Sequence, residues 1–259
     1  MMSATAVVVA RKEVLDHLRD GRAVVASAMM ALMGPGVVLL VSLSGRTGGQ
    51  DGGAVLLGML SVFALVSSFA GAIDVAMDTT AGERERRSLV PLLLTPATRR
   101  DLVLGKWVAV TICALLAVAI NSLALLTVLR LSDPVLFASR IQQLLIWVVL
   151  GLVPLALFGS AVSVLIAVQC RNTKEAHSAL RFLALVPMMV GMFLVFFPTW
   201  ASQIWFLLPI VGQQALIGFR DPSVPAIRSG ILALVTLALA WLALAGAGRV
   251  MNRDHILSA

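Results

Sequence analysis

Long apolar runs separated by short polar connections make up most of the chain, and the runs lack the alternation of a membrane-spanning β-strand. About 20 apolar residues are enough to cross the roughly 30 Å hydrocarbon layer as a helix. Six runs of this kind predict six transmembrane helices. We place them at residues 24–43, 54–77, 107–129, 144–168, 182–197 and 229–248. The pattern predicts an all-α membrane protein with a single transmembrane domain over residues 1–259.

The stretch 182–219 contains no charged residue and is long enough for two helices, which would give seven spans. Its second half is rich in residues that suit a lipid-facing helix poorly: Pro198, Trp200, Ser202, Gln203, Trp205, Pro209, Gln213 and Gln214. Irregular backbone at membrane depth survives only where protein or water shields it. We therefore favour a short fifth span followed by re-entrant helices within residues 198–228, at the outer face, with seven spans as the alternative.

Residues 1–22 predict an amphipathic elbow helix that lies in the membrane interface and leads into the first span. On a helix, one face would be apolar, and it comprises Val7, Val8, Val14, Leu15 and Leu18. The opposite face would be charged, and it comprises Lys12, Glu13, Asp16, Arg19 and Asp20. The apolar part is too short for a signal peptide, and it precedes the charges instead of following them. A merely solvated N-terminus is the alternative.

Composition and charge agree with a membrane location. Hydrophobic residues make up 59% of the chain and charged residues 13%, against about 25% charged in soluble domains. Fifteen of the twenty Lys and Arg residues fall in the N-terminus, the loops 78–106 and 169–181, and the C-terminal tail. This bias predicts that both termini and the 78–106 loop are cytoplasmic, in a cell (inner) membrane. The net charge of +7 lies in short loops, so it does not predict nucleic-acid binding.

The 78–106 loop is the most highly charged run in the chain, yet leucines are interspersed with its charges. A charged loop that also offers Leu89, Leu92 and Leu93 suits docking against another protein. We therefore predict that this loop couples the membrane domain to a motor outside the membrane. The alternative is a charged determinant of topology that has no partner.

Three stretches resemble the ABC-2 type permeases, the membrane subunits of ABC exporters, and most resemble the sodium-extruding NatB-like branch. They are ARKEVLDHLRDGR at 10–22, AGERERRSLVPLLLTPATRRDLVLGKW at 81–107 and RNTKEAHSAL at 171–180. The resemblance implies a permease homodimer or closely related heterodimer that binds two cytosolic ABC ATPase subunits. The sequence contains no G-x-x-x-x-G-K-[ST] phosphate loop. We therefore expect ATP-Mg on the partner ATPase, with no cofactor and no ATP hydrolysis in this chain.

The resemblance also implies that the charged loop contains a short coupling helix, which would dock in a groove of the ATPase. Charge pairs would set the register of the coupling helix, and leucines would supply its buried contact. The residues expected at this surface are Glu83, Arg84, Glu85, Arg86, Leu89, Leu92 and Leu93.

Polar side chains inside the spans are few. Asp74 and Asp78 would share a helix face at the end of the second span. They could form a cation-attracting mouth or pair with basic residues of the neighbouring loop. Asn121 and Ser122, deep in the third span, could line a transport path or hydrogen-bond another helix.

Enzyme signatures are missing from the sequence, which has neither H-E-x-x-H nor G-x-S-x-G, and we predict no metal site. The favoured function is the permease subunit of an ABC exporter that moves a cation or small amphipathic compound. One alternative is an ABC-2-like component of an ATPase-driven envelope or appendage assembly machine. A secondary transporter is the other alternative, although the scarcity of intramembrane charge disfavours ion coupling.

Overall fold

The computed structural model describes residues 4–43, 52–85, 98–197, 205–218 and 226–251, and within these ranges it contains helices and no β-strand. The principal helices of the described ranges are α1 (Ala4–Arg19), α2 (Gly21–Leu43), α3 (Gly52–Met77), α4 (Arg99–Ser132), α5 (Pro134–Trp147), α6 (Val153–Gln169), α7 (Thr173–Phe196), α8 (Val211–Gly218) and α9 (Ala226–Met251). The prediction of an all-α protein is confirmed for the described part of the chain.

Two π-helical segments lengthen these helices. Asp78–Gly82 continues α3 into a short α-helical turn, Glu83–Glu85, and Val148–Leu152 joins α5 to α6. A brief 3₁₀ turn, Trp205–Leu207, precedes α8.

Among the described residues, five helical runs are long and apolar enough to cross a membrane: Leu56–Glu85, Arg100–Ser132, Pro134–Gln169, Thr173–Phe196 and Ile227–Met251. They match the second to sixth predicted spans, so the protein is a multi-pass membrane protein. The first predicted span corresponds to α2, whose apolar part, Ser27–Leu43, is shorter than the other five. The count of six spans stays a prediction.

Several helices begin earlier than the apolar pattern indicates, because polar side chains cap them. Thr98 Oγ1 accepts a hydrogen bond from the Asp101 amide at 3.2 Å, so α4 begins eight residues before the predicted start at 107. Asn172 Oδ1 accepts from the Glu175 amide at 2.8 Å, and α7 begins at Thr173 instead of 182. The 34 residues of α4 span about 51 Å, so this helix is longer than the hydrocarbon layer is thick.

The third helix occupies the centre of the bundle and packs against α2, α4, α6, α7 and α8. Glycines allow its closest approaches. A Cβ added at Gly71 would lie 2.4 Å from the Ala117 Cβ of α4, and one at Gly159 of α6 would lie 3.0 Å from the Ser68 carbonyl oxygen. Small residues let membrane helices pack this closely.

The first helix lies along α4, and the side that it buries is not the one that its apolar pattern suggests. Ala6, Ala10 and Glu13 are buried, whereas Val8 is 67% exposed and Leu18 51% exposed. The predicted apolar face therefore points away from the bundle, as expected of a helix whose apolar side meets lipid. Glu13, predicted on the outer charged face, is instead buried, because the small alanines bring that side of α1 against α4. The interfacial position of α1 stays a prediction.

Within the predicted re-entrant segment 198–228, residues 205–218 and 226–228 are described. The eight residues of α8 span about 12 Å, too short for a second full span. Gln213 is fully buried, and its Nε2 donates to Thr236 Oγ1 at 3.0 Å. Gln214 Nε2 donates to Ser61 Oγ at 2.7 Å. Protein thus shields the glutamines that would be costly in lipid, although re-entry from the outer face stays a prediction.

Candidate functional site

The charges of the Glu83–Glu85 turn meet three other parts of the chain at one end of the bundle. This turn follows the π-helical segment Asp78–Gly82 directly, and π-helical turns occur frequently at functional sites. Inside the segment, Thr79 Oγ1 donates to the Val75 carbonyl at 2.8 Å. The Thr79 carbonyl oxygen accepts a hydrogen bond from Lys106 of α4.

Lys106 is 1% exposed, and its ammonium forms an ion pair with the Glu83 carboxylate. Lys106 Nζ donates to Glu83 Oε2 at 2.5 Å, which ties α4 to the end of α3. A buried charge is tolerated only when it is paired and hydrogen-bonded. The carboxylate of Glu83 and the carbonyl of Thr79 together satisfy this requirement.

The other carboxylate oxygen of Glu83 faces α1. Lys12 Nζ lies 3.7 Å from Glu83 Oε1 and 3.4 Å from Glu13 Oε1. We call Lys12, Glu13, Glu83 and Lys106 the charged junction. Its two cations and two anions come from α1, α4 and the turn after α3, so the junction connects three elements with a formal charge of zero.

Burial also sets the protonation behaviour of the charged junction. Burial raises the pKa of the Glu13 carboxyl. The Lys106 ammonium lowers this pKa and the Glu83 carboxylate raises it, and the pKa remains above its ordinary value. Burial alone would lower the pKa of Lys12, but the carboxylates of Glu13 and Glu83 raise it above its ordinary value. Lys12 is therefore held in its charged form, whereas Glu13 is easier to protonate than a solvated glutamate.

The next two side chains of the turn bind the connection between α6 and α7. Arg84 Nη1 donates to the Cys170 carbonyl at 2.8 Å, and its Nη2 donates to the Val168 carbonyl at 3.3 Å, at the end of α6. Glu85 Oε2 accepts from the Thr173 amide at 3.0 Å and from its hydroxyl at 2.6 Å, at the start of α7. Cations suit helix C-termini and anions suit N-termini. We call Glu83, Arg84 and Glu85 the bracket.

Three of the predicted ATPase-docking residues thus form the bracket and have partners within this chain. Glu83 and Arg84 are half-buried, and Glu85 is exposed. The other predicted docking residues, Arg86, Leu89, Leu92 and Leu93, lie outside the described residues. Docking by this set stays a prediction. The sequence reasoning missed Lys12 and Lys106 as partners of Glu83, and Glu13 as a partner of Lys12; a lysine at the start of a long apolar run was the available signal.

The two acidic residues of the predicted cation mouth lie near the end of α3 and at the start of the π-helical segment that follows it. Asp74 is half-buried on α3, and Asp78 is exposed where the π-helical segment begins. Within the described part of the chain, no group of three or more His, Cys, Asp or Glu residues is arranged to hold a metal ion. A role for Asp74 and Asp78 at a cation mouth stays a prediction.

Asn121 and Ser122, the polar pair of the third span, lie in different environments. Asn121 is buried, and its Nδ2 donates to the Ala31 carbonyl at 2.7 Å, which links α4 to α2. Ser122 lines a cavity of about 20 Å³ beside Trp147, and its hydroxyl has no partner among the described residues. A cavity of this size holds one water molecule. Asn121 therefore makes a helix–helix hydrogen bond, while lining of a transport path stays a prediction.

Comparisons with known proteins show the family to which the chain belongs. A family profile described as "ABC-2 family transporter protein" matches residues 7–216, a range that includes the charged junction, the bracket and most of α8. The chain is 31% identical over 198 residues to the ABC transporter permease protein NatB of Bacillus subtilis (strain 168). The alignment covers 70% of this chain and 50% of NatB, so the chain spans about half the length of that relative. The chain belongs to the ABC-2 family of transporter proteins.

Proposed function

We propose that this chain is the permease subunit of an ABC exporter, driven by separate cytosolic ATPase subunits that bind ATP-Mg. Family membership supports a transporter membrane subunit. The observation that carries the proposal is the bracket, whose three successive side chains contact α4, α6 and α7, while Glu83 also meets α1 through Lys12. A force applied at this point would act on four other helices at once.

The loop between the bracket and α4 is the proposed site of ATPase contact. Its chain leaves the bracket at Glu85 and returns at Thr98, whose side chain caps α4. Both ends are therefore anchored to helices that continue into the membrane. Leu89, Leu92 and Leu93 would supply buried contact with the ATPase, and Arg86 would help to set register. The bracket would then pass the displacement of the loop to the spans.

The charge bias supports an orientation with both termini, the 78–106 loop and the charged junction on the cytoplasmic side of the cell membrane. The permeases would pair as a homodimer or a closely related heterodimer. The cargo would be a cation or a small amphipathic compound that is moved outward. Asp74 and Asp78, near the cytoplasmic end of α3 in this orientation, would lie where a cation enters.

ATPase binding is the first test of this function. The tagged chain is expressed together with a candidate ABC ATPase subunit, and ATP hydrolysis by the purified complex is measured. Replacing Leu92 and Leu93 with serine should remove the co-purifying ATPase without changing the unfolding temperature of the permease. Leu131→Ser is the matched control, because Leu131 is 73% exposed at the other end of α4.

Solute export is the second test. ATP-dependent efflux of sodium or an amphipathic dye from vesicles containing the complex would support an exporter. ATP hydrolysis without movement of any solute would favour the assembly-machine alternative. A chain that transports without an ATPase would contradict the proposal.

A further inference from the structure

A cavity of about 310 Å³ lies between the first turns of α4 and the last turns of α9. The residues that matter to its chemistry are Arg100, Leu104, Trp241, Leu244, Gly248 and Arg249. No acidic side chain is among the described residues that line it. Two guanidinium groups from different helices therefore share an otherwise apolar groove.

The charges and the apolar surface lie at different depths. Arg249 and Trp241 are eight residues apart on α9, which is about 12 Å along the helix axis. Arg100 lies in the first turn of α4, at the same end of the bundle as Lys106. Both arginines are exposed, and Trp241, 67% exposed, points away from the bundle. The groove thus has cations at the end of the spans and apolar walls toward the membrane interior.

We propose that this groove binds an anionic phospholipid, with its phosphate between Arg100 and Arg249 and an acyl chain along Trp241 and Leu244. Guanidinium groups bind phosphate oxygens through paired hydrogen bonds. Basic pockets between membrane helices bind anionic headgroups. A soluble phosphate would use only the arginines, whereas a phospholipid uses the arginines and the apolar walls together. The bound lipid would bridge α4 and α9 beside the charged junction.

Quenching of Trp241 fluorescence tests the proposal in the full-length protein reconstituted in bilayers. Brominated phosphatidylglycerol is compared with brominated phosphatidylcholine, and the signal of a Trp241→Phe variant is subtracted. The phosphatidylglycerol should quench Trp241 at about one tenth of the mole fraction that phosphatidylcholine needs. Replacing both Arg100 and Arg249 with glutamine should abolish this preference. Arg228→Gln, an exposed arginine at the other end of α9, should keep it.

A second variant tests the groove without changing charge. A Cβ at Gly248 meets no atom within 4 Å, so a larger side chain can start there, and Gly248→Leu adds apolar volume to the groove. It should weaken quenching by phosphatidylglycerol at least threefold. Gly230→Leu is the matched control, because Gly230 on the same helix is equally open.

Five results would overturn the proposal. The first three are equal quenching by the two lipids, a preference that survives loss of both arginines, and quenching that Gly248→Leu leaves unchanged. The fourth is loss of the preference when inorganic phosphate is added at constant ionic strength, which would reveal a site for a soluble anion. No quenching by either lipid would indicate that a second copy of the chain covers the groove, and would overturn it equally.

Discussion

Glu83 Oε2 accepts a hydrogen bond from Lys106 Nζ at 2.5 Å, which joins the turn after α3 to the start of α4. Since the same carboxylate also faces Lys12 of α1, one side chain connects three elements that surround the 78–106 loop. The remaining members of the bracket extend this connection to α6 and α7. Movement of the loop therefore cannot be confined to one helix.

Glu83→Gln should destabilise the protein by about 3–5 kcal/mol, because it leaves the buried Lys106 charge without its counter-charge. Lys106→Met should also destabilise it. The double variant should be more stable than the sum of the two single effects predicts, because it leaves no unpaired ammonium. Chemical unfolding in detergent measures all three. Additive effects would show that the two side chains do not interact.

The raised pKa of Glu13 predicts how stability depends on pH. The folded state binds this proton more tightly than the unfolded chain does, so the stabilisation is complete below the ordinary pKa of 4.5 and is lost as pH rises through the folded-state value. Glu13→Gln, which resembles the protonated form, should stabilise the protein at neutral pH. As pH rises from 4.5 through the folded-state pKa of Glu13, the free energy of unfolding should fall for the wild type and change less for the variant. Identical pH profiles would contradict the prediction.

Arg84→Lys should loosen the connection between α6 and α7, even though it keeps the charge. A lysine cannot reproduce the two N–H donors that the planar guanidinium directs at the Val168 and Cys170 carbonyls. The expected loss of stability is about 1 kcal/mol. Hydrogen exchange should accelerate at the amides around Thr173. Arg171→Lys, at an exposed residue of the same connection, serves as the control and should leave exchange unchanged.

Gly105→Val should push α1 away from α4. A Cβ at Gly105 would lie 2.8 Å from the Ala6 carbonyl oxygen, and overpacking of this kind costs about 1–3 kcal/mol. Gly36→Val is the comparison, because a Cβ at Gly36 of α2 meets nothing within 4 Å. Proteolysis of α1 should become faster in the first variant and not in the second. Equal protection would show that α1 does not depend on this contact.

The sequence predicted the helices well because membrane helices reveal themselves through local apolar runs. It placed the starts of α4 and α7 too late, since the boundaries were drawn where charge ends. The capping residues Thr98 and Asn172 are local signals that would have corrected both. The burial of Glu13 could not be predicted from α1 alone, because it depends on the packing of α1 against α4, which lies far along the chain. The intramolecular partners of Arg84 and Glu85 were hidden for the same reason.

The double variant Glu83→Gln with Lys106→Met tests the central claim most directly when it is reconstituted with its ATPase. ATPase activity and solute efflux are measured in the same vesicles. The account predicts that the ATPase still binds and hydrolyses ATP while efflux falls at least tenfold, because the force no longer passes from the loop to the spans. Efflux that remains at the wild-type level, or loss of ATPase binding itself, would contradict it.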